Sequence, residues 1–306
     1  MFKKLIMICF AFFSFAFFAF ASEESKNIFN SAMELYKSNK LEEAIDTAKS
    51  AIEIDSKESH YYTFLGNIYN QLEHYDESEK YFKMAIKINS RAGSAFNGLG
   101  LIYSHKGLSN KAIAMYKECI KFTPDYYGVY VNIGFEHVKI YENKHDIKQL
   151  YFAKEYFEKA IELNNEAYDA YGYLGKVFLD SYDYDNAIKN LEKSINLNPD
   201  PNRYYGDFSD TYFNLASAYY NKEMYKEAID AFQKSLKIKP DAPDAILALG
   251  LCYIYVEDKE KATDQLETIK LIDDEKYLIL KNEIEKKFNY GNSSWKKRNI
   301  LRRLPD

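Results

Sequence analysis

Apolar and small side chains recur at helical spacing along most of the chain. In the segment KEAIDAFQKSLKI at 226–238, Ala228, Phe232 and Ser235 are separated by four and three residues. Residues three or four positions apart lie on one face of an α-helix, so this segment is predicted to be an amphipathic helix with one buried stripe. Related segments occur at 42–54, 76–88, 110–122, 149–163, 185–197 and, in a looser form, 260–272.

A second, shorter pattern precedes most of these segments. It has the form LGNIY, and its apolar positions also follow helical spacing. The copies lie at 65–69, 99–103, 133–137, 174–178, 215–219 and 249–253. Two helical patterns in strict alternation predict a series of helical hairpins, and hence an all-α fold.

Glycine occupies the second letter of most copies of the shorter pattern. Gly66, Gly100, Gly134, Gly175 and Gly250 all hold this position. Glycine inside a helix costs about 1 kcal/mol relative to alanine, so another interaction must favour it. The prediction is that a second helix packs too closely at these points to leave room for a side chain.

The two alternating patterns resemble the tetratricopeptide repeat (TPR), whose 34-residue pattern runs W-x2-L-G-x2-Y and continues with A, F and P. The resemblance covers Ser25 to Asp274 in seven copies. The Trp position is held by Tyr62, Phe96, Tyr130, Tyr171, Tyr212 and Ile246. The resemblance implies a right-handed superhelical solenoid of about seven helical hairpins with a C-terminal capping helix.

The resemblance also divides the chain into segments. They are a signal peptide or uncleaved anchor at 1–21, TPR1 at 25–58, TPR2 at 59–92, TPR3 at 93–126, TPR4 at 127–167, TPR5 at 168–200, TPR6 at 201–241, TPR7 at 242–274, the capping helix at 275–288 and a basic tail at 289–306.

Two of the intervals between copies are 41 residues long, seven more than the others. Seven residues are close to two helical turns. The first surplus lies between His137 and Ala153, where it is predicted to lengthen both helices of TPR4 by about one turn each. The second lies in 200–210, whose proline and glycine favour a loop. This loop is predicted to form a lip at a binding surface or to fold back on its neighbours, through Tyr204, Tyr205 and Phe208.

The first 21 residues have the order of a secretory signal peptide. Lys3 and Lys4 precede an unbroken apolar run, which ends in Ala-Phe-Ala before a polar stretch. We expect cleavage after Ala21 and a location in the periplasm, in the cell envelope or outside the cell. The apolar run at 5–21 is near the shortest length that spans a bilayer, so anchoring in the inner membrane is the alternative.

The charge of the chain is unevenly distributed. The 306 residues carry a formal net charge of −5, which argues against a nucleic-acid-binding protein. Residues 286–306 carry seven basic groups against Asp306. The basic tail provides Lys296, Lys297, Arg298, Arg302 and Arg303. It suggests an alternative function, attachment to an anionic membrane or a polyanion, although a solvated tail or one docked on its own acidic array fits equally well.

No group of residues indicates catalysis. The five histidines are scattered, and HExxH, CxxC and Ser/His/Asp arrangements are absent from the sequence. Cys119 and Cys252 lie far apart in the predicted array and are expected to be buried and unpaired. The sequence therefore predicts a protein that is not an enzyme and needs no cofactor or metal.

The resemblance places the binding surface on the first helix of each hairpin. Positions 2, 5, 9 and 12 of that helix share one face. The predicted groove consists of Phe29, Met33, Tyr36, Thr63, Asn67, Asn70, Asn97, Leu101, Phe135, Lys176, Phe213, Tyr220 and Leu251. Asp169, Asp210 and Asp244 hold position 2 of the last three first helices. Amide and apolar side chains suit an extended protein or peptide segment of unknown identity, but the apolar ones could instead pack inside the array. The Lys and Asn pair that holds a terminal carboxylate in some TPR proteins is absent.

Overall fold

The computed structural model describes residues 22–198 and 208–288, and all regular structure in these two ranges is helical. The chain divides into two compact units, Met1–Glu136 and His137–Asp306. Among the described residues, no helix combines the length and the apolar character needed to cross a membrane. The all-α fold class predicted from the sequence is confirmed.

The first unit consists of short helices joined by tight turns. They are α1 (22–37), α2 (Leu41–Ile54), α3 (Ser59–Gln71), α4 (Tyr75–Ile88), α5 (Gly93–His105), α6 (Ser109–Phe122) and the beginning of α7 (Tyr127–Lys144). Within this unit α3 packs on α4 and α5 packs on α6, which gives the predicted hairpins, and α4 packs on α5 to join one hairpin to the next.

The second unit repeats this arrangement. After the end of α7 it contains α8 (Lys148–Leu163), α9 (Tyr168–Asp180), α10 (Tyr184–Leu197), α11 (Phe208–Asn221), α12 (Tyr225–Ile238), α13 (Pro243–Tyr255), α14 (Lys259–Ile269) and α15 (Asp274–Phe288). The pairs α9 and α10, α11 and α12, and α13 and α14 form hairpins, and α15 packs on both α13 and α14 as a capping helix does.

The surplus residues of TPR4 lie within helices. α7 has 18 residues and α8 has 16, whereas α5 and α6 have 13 and 14. α7 is thus five residues longer and α8 only two, so the expected extra turn is present in α7 but not in α8. An added turn keeps the same residues on the buried face, because residues three, four and seven apart remain aligned. The periodic apolar pattern therefore continues through the longer helices.

The hairpin turns share one backbone feature, a residue with positive φ. Gly107 has φ +70°, and at the equivalent point of the preceding hairpin Glu73 has φ +59°. The amide of the residue that follows then bonds back to the helix, as in Leu108 N to Tyr103 O at 2.8 Å. This is the common C-terminal cap, in which glycine is favoured because it lacks a Cβ. Glu73 occupies a conformation that costs an L-residue free energy.

The glycines inside the helices lie where a second helix approaches closely. A Cβ at Gly66 of α3 would lie 2.7 Å from Cε1 of Phe82 in α4, and one at Gly98 of α5 would overlap the same ring. Phe82 is only 1% exposed, so its ring is enclosed between two glycine-bearing helices. Ideal Cβ atoms would also meet buried side chains at Gly100, Gly175 and Gly250. The predicted cause of the glycine pattern is confirmed at these positions.

Candidate functional site

The structure separates the predicted groove residues by exposure. Tyr36 and Asn67 are exposed. Half-buried positions are Met33, Asn70, Asn97, Leu101, Phe135, Lys176 and Phe213. Buried positions are Phe29, Thr63, Tyr220 and Leu251, all less than 8% exposed. A side chain that is already covered by its own chain cannot contact a partner, so these last four belong to the core and not to a groove.

Each correction has a packing cause. The ring of Phe29 lies 4.4 Å from that of Tyr61 and meets Phe64 edge to face at 5.1 Å, measured between ring centroids. Tyr220 lies 5.7 Å from Tyr255 in an edge-to-face contact, and burial raises its pKa. Leu251 belongs to α13, which is covered by neighbouring helices on several sides. Aromatic contacts of this kind stabilise the join between consecutive hairpins.

The residues predicted to be functional in the second insertion and at the termini lie mostly outside the described residues. This applies to Tyr204 and Tyr205, to the signal peptide at 1–21 and to the basic tail with its five basic side chains. Phe208 is described, and it is a buried residue at the start of α11 whose ring lies 5.9 Å from that of Tyr168. Phe208 therefore packs back on its neighbours and is not an exposed lip residue.

Polar side chains connect consecutive first helices in the first unit. Asn132 Nδ2 donates to Asn97 Oδ1 at 3.4 Å, and the Tyr36 hydroxyl donates to Gln71 Oε1 at 2.9 Å. The partners are 35 residues apart in both pairs, one repeat plus one residue. These bonds therefore link positions that differ by one residue in neighbouring repeats, and the exposed amide of Asn67 lies on the same helix as Gln71.

One concave feature in the described part of the second unit is a cavity of about 500 Å³ between its first helices, here called the second-unit cavity. The first helices α9, α11 and α13 supply much of its wall, together with Tyr141 of α7 and Ser235 and Lys239 at α12. Lys176 and Phe213, two of the predicted groove residues, are in the wall. Its other polar and aromatic members include Asp180, Tyr182, Tyr184, Asp210, Asn214, Asn221 and Asp244.

Lys176 is a charged residue of this wall that is held by two ion pairs. Its Nζ lies 3.1 Å from Asp180 Oδ2 and 3.3 Å from Glu142 Oε1. Burial lowers the pKa of Lys176, but the two carboxylates outweigh this effect and the pKa is raised. Lys176 therefore remains charged, and its charge is balanced by two acids of the same unit.

Aromatic side chains form a second component of the wall. Tyr182 is 65% exposed, and the rings of Tyr182 and Tyr184 lie edge to face with centroids 6.5 Å apart. The ring of Phe213 lies edge to face against the buried ring of Phe232, with centroids 5.6 Å apart. This contact packs the wall at Phe213 against α12. Sequence analysis missed the two tyrosines because neither holds a first-helix position: Tyr182 lies in the turn after α9, and Tyr184 is the first residue of α10.

Groups suited to metal binding or redox chemistry do not stand out in this part of the protein. Within residues 22–198 and 208–288, no three His, Cys, Asp or Glu side chains are placed to hold a metal ion. Cys119 and Cys252 are buried free thiols, and burial raises the pKa of both. The absence of a catalytic function and of a cofactor stays a prediction from the sequence.

Relatives of this chain share its repeats. Anaphase-promoting complex subunit 3 of Schizosaccharomyces pombe is 27% identical over 158 residues, 52% of this chain and 23% of that protein. UDP-N-acetylglucosamine–peptide N-acetylglucosaminyltransferase of Giardia intestinalis is 28% identical over 142 residues, 45% of this chain and only 9% of that enzyme. The chain thus matches less than a quarter of the length of either relative.

The fold comparison agrees with the sequence comparison. The crystal structure of the APC/C hetero-tetramer Cut9-Hcn1 aligns with a TM-score of 0.65 at 18% identity, covering 84% of this chain and 48% of that one. Family models described as tetratricopeptide repeat match residues 59–91, 93–126 and 168–201, and residues 209–242. The chain therefore contains tetratricopeptide repeats, which form its helical hairpins.

Proposed function

We propose that this protein is an exported scaffold, without catalytic activity, that binds a protein segment on the first helices of its repeats. Tetratricopeptide repeats mediate interactions between proteins, and stacked repeats present extended concave surfaces for binding. The observation that carries the proposal is the second-unit cavity, because it opens between successive first helices and contains two residues of the predicted groove.

The size and the wall of this cavity suit part of a polypeptide. Its volume of about 500 Å³ lies within the range typical of ligand sites in proteins. Asn214 is half-buried, and its amide offers both donors and an acceptor to a peptide backbone. Phe213, Tyr182 and Tyr184 supply apolar surface beside it. A wall of this composition supports binding by shape and hydrogen bonds rather than by reaction.

The first unit supports the same interpretation through its amides. Asn67 is exposed and Asn97 is half-buried, and both lie on first helices. Leu101, on the same helix as Asn97, and Met33, on α1, are half-buried apolar positions. Amides that alternate with apolar side chains can hold the backbone and the side chains of an extended segment.

Export is proposed from the order of charged, apolar and small residues in 1–21. N-terminal sequencing of the protein from its source cell tests it directly. A mature chain that begins at Ser22 is the expected result. A chain that retains residues 5–21 in the membrane fraction would support the anchored alternative, and an intact chain in the cytoplasm would contradict export.

Photo-crosslinking in the source cell tests the binding surface. A photoreactive amino acid at Asn214 should cross-link a protein partner, whereas the same residue at Asn282, which is exposed on α15, should not. Tyr184→Ala should abolish the cross-link at position 214, and Tyr151→Ala, an exposed tyrosine on α8, is the matched control. Equal cross-linking from positions 214 and 282, or none from 214, would reject this surface.

A further inference from the structure

We infer that the second-unit cavity binds the chain's own basic C-terminal segment, centred on Lys296, Lys297 and Arg298. This inference rests on the proposed function, since the segment would occupy the surface offered to a partner. Three observations carry it: the composition of the cavity wall, the charge of the unit, and the distance that the segment has to cover.

The wall combines carboxylates with aromatic faces. Asp210 is exposed at the start of α11, and Asp244 lies at the start of α13 with its side chain 47% exposed. Asp210 and Asp244 hold the same position in their repeats. The repeats that begin in the first unit have no acidic residue at this position, which is occupied by Lys26, His60, Ser94 and Gly128. Tyrosine and phenylalanine faces beside carboxylates suit guanidinium and ammonium groups, which bind both.

The charge balance of the site favours a cation. Among the described residues, the wall and its ion-pair partners contain five carboxylates, Glu142, Asp180, Asp210, Asp244 and Asp273, against three lysines, Lys176, Lys239 and Lys276. Lys276 Nζ lies 3.2 Å from Asp244 Oδ1 and 3.1 Å from Asp273 Oδ2, so its charge is already offset. The site therefore keeps a net negative charge after its own lysines are counted.

The whole second unit has the same sign. Its described residues contain 20 lysines against 27 aspartates and glutamates, a net charge of −7. Residues 289–306 contain five basic side chains and one acid, a net charge of +4. Because the two parts belong to one chain, their attraction acts at a high effective concentration and needs little intrinsic affinity.

The segment starts close enough to reach the cavity. α15 ends at Phe288, beside the end of α13: Lys287 Nζ lies 2.8 Å from Glu257 Oε1, and Lys259 Nζ lies 5.8 Å from the Phe288 ring centroid. The cavity wall begins at the opposite end of α13, whose 13 residues span about 20 Å at about 1.5 Å per residue. The eight residues from Phe288 to Lys296 extend to about 27 Å at about 3.4 Å per residue, which is sufficient.

Trp295 is the single tryptophan of the chain and immediately precedes the basic cluster, so its fluorescence reports on the segment. In the full chain we expect Trp295 emission at a shorter wavelength than that of free tryptophan, and slow quenching by acrylamide. Asp210→Lys with Asp244→Asn should make quenching severalfold faster. Lys297→Glu with Arg298→Glu should do the same and leaves the cavity unaltered. Combining Asp210→Lys with Lys297→Glu should restore part of the protection.

Two controls make the result specific. Glu260→Lys with Asp264→Asn, at exposed positions of α14, changes the net charge by the same amount and should leave Trp295 protected. Raising NaCl from about 0.05 M to about 0.5 M shortens the screening length and should release the segment. Circular dichroism verifies that each variant keeps its helices.

The inference is overturned if Trp295 is equally accessible in the native chain and in both charge variants, or if the α14 control exposes it as much as the cavity variant does. Failure of the proposed function is a separate outcome, read from the partner cross-link at position 214. If the inference is right, Lys297→Glu with Arg298→Glu should increase that cross-link, because the competing segment has left the cavity.

Discussion

The enclosed ring of Phe82 permits a sharp test of how the hairpins pack. In Gly66→Ala the new Cβ would lie 2.7 Å from Phe82 Cε1, about 1 Å closer than a normal carbon–carbon contact. The ring is 1% exposed and has Gly98 of α5 on another side, so it cannot swing into solvent.

The expected magnitude follows from two opposing effects. Alanine is favoured over glycine inside a helix by about 1 kcal/mol. Forcing a methyl group into a well-packed core costs about 1–3 kcal/mol as a net effect in typical proteins. Because that range is measured for whole substitutions, we expect Gly66→Ala to lower the free energy of unfolding by about 1–3 kcal/mol, although the substitution improves helix propensity.

A double-mutant cycle with Phe82→Leu isolates the cause. Without the ring, Gly66→Ala should keep only its helix-propensity gain and become neutral or stabilising, so the two substitutions should couple by more than about 0.5 kcal/mol. Gly128→Ala is the matched control, since its nearest contact is Tyr126 at 3.3 Å and that side chain is 52% exposed. Urea unfolding followed by circular dichroism measures the four proteins of the cycle and the control.

The reasoning is refuted if Gly66→Ala unfolds at the same urea concentration as the parent or higher. It is also refuted if the cycle shows additive effects, because additivity would mean that the ring and the glycine do not share a packing constraint. A loss of stability in Gly128→Ala as large as that in Gly66→Ala would assign the effect to glycine in general and not to the close approach.

Two further predictions concern the first unit. Gly107→Ala should lower the free energy of unfolding by about 1 kcal/mol, since its φ of +70° disfavours a Cβ although no atom lies within 4 Å of the site. Glu73→Gly at the equivalent turn should have the opposite sign; equal signs in urea unfolding would contradict the cap assignment. Burial raises the pKa of Glu79, but Lys106 and Lys83 outweigh it and hold this pKa at about 2, below its ordinary 4.5. The stability from this ion pair is therefore present above pH 4.5 and is lost as the pH falls toward about 2. Lys106→Met should make acid unfolding less steep in this window, and a pH profile identical to the parent's would contradict the role of Lys106.

Periodicity in the sequence was enough to predict the helices and the hairpins, because a helix repeats every 3.6 residues wherever its stripe is buried. The close approach of a second helix at the repeated glycines was also predictable, since close packing explains why several glycines share one helical position. Phe208 shows the limit of this reasoning. It followed a proline- and glycine-containing stretch and was assigned to a loop, yet it begins α11, because packing against Tyr168 favours the helix there.

The sequence by itself determined the repeat, its hairpin form and the set of first-helix positions from which a binding surface could be drawn. Tertiary structure alone decided which of those positions remain accessible: Phe29 and Leu251 are covered by neighbouring helices, whereas Asn67 is open. It also brought Tyr184, the first residue of the second helix α10, into the same wall as Lys176 and residues of α11 and α13. The physical reason is that helical spacing is a local property, whereas burial depends on the side chains that the next hairpin places opposite each residue.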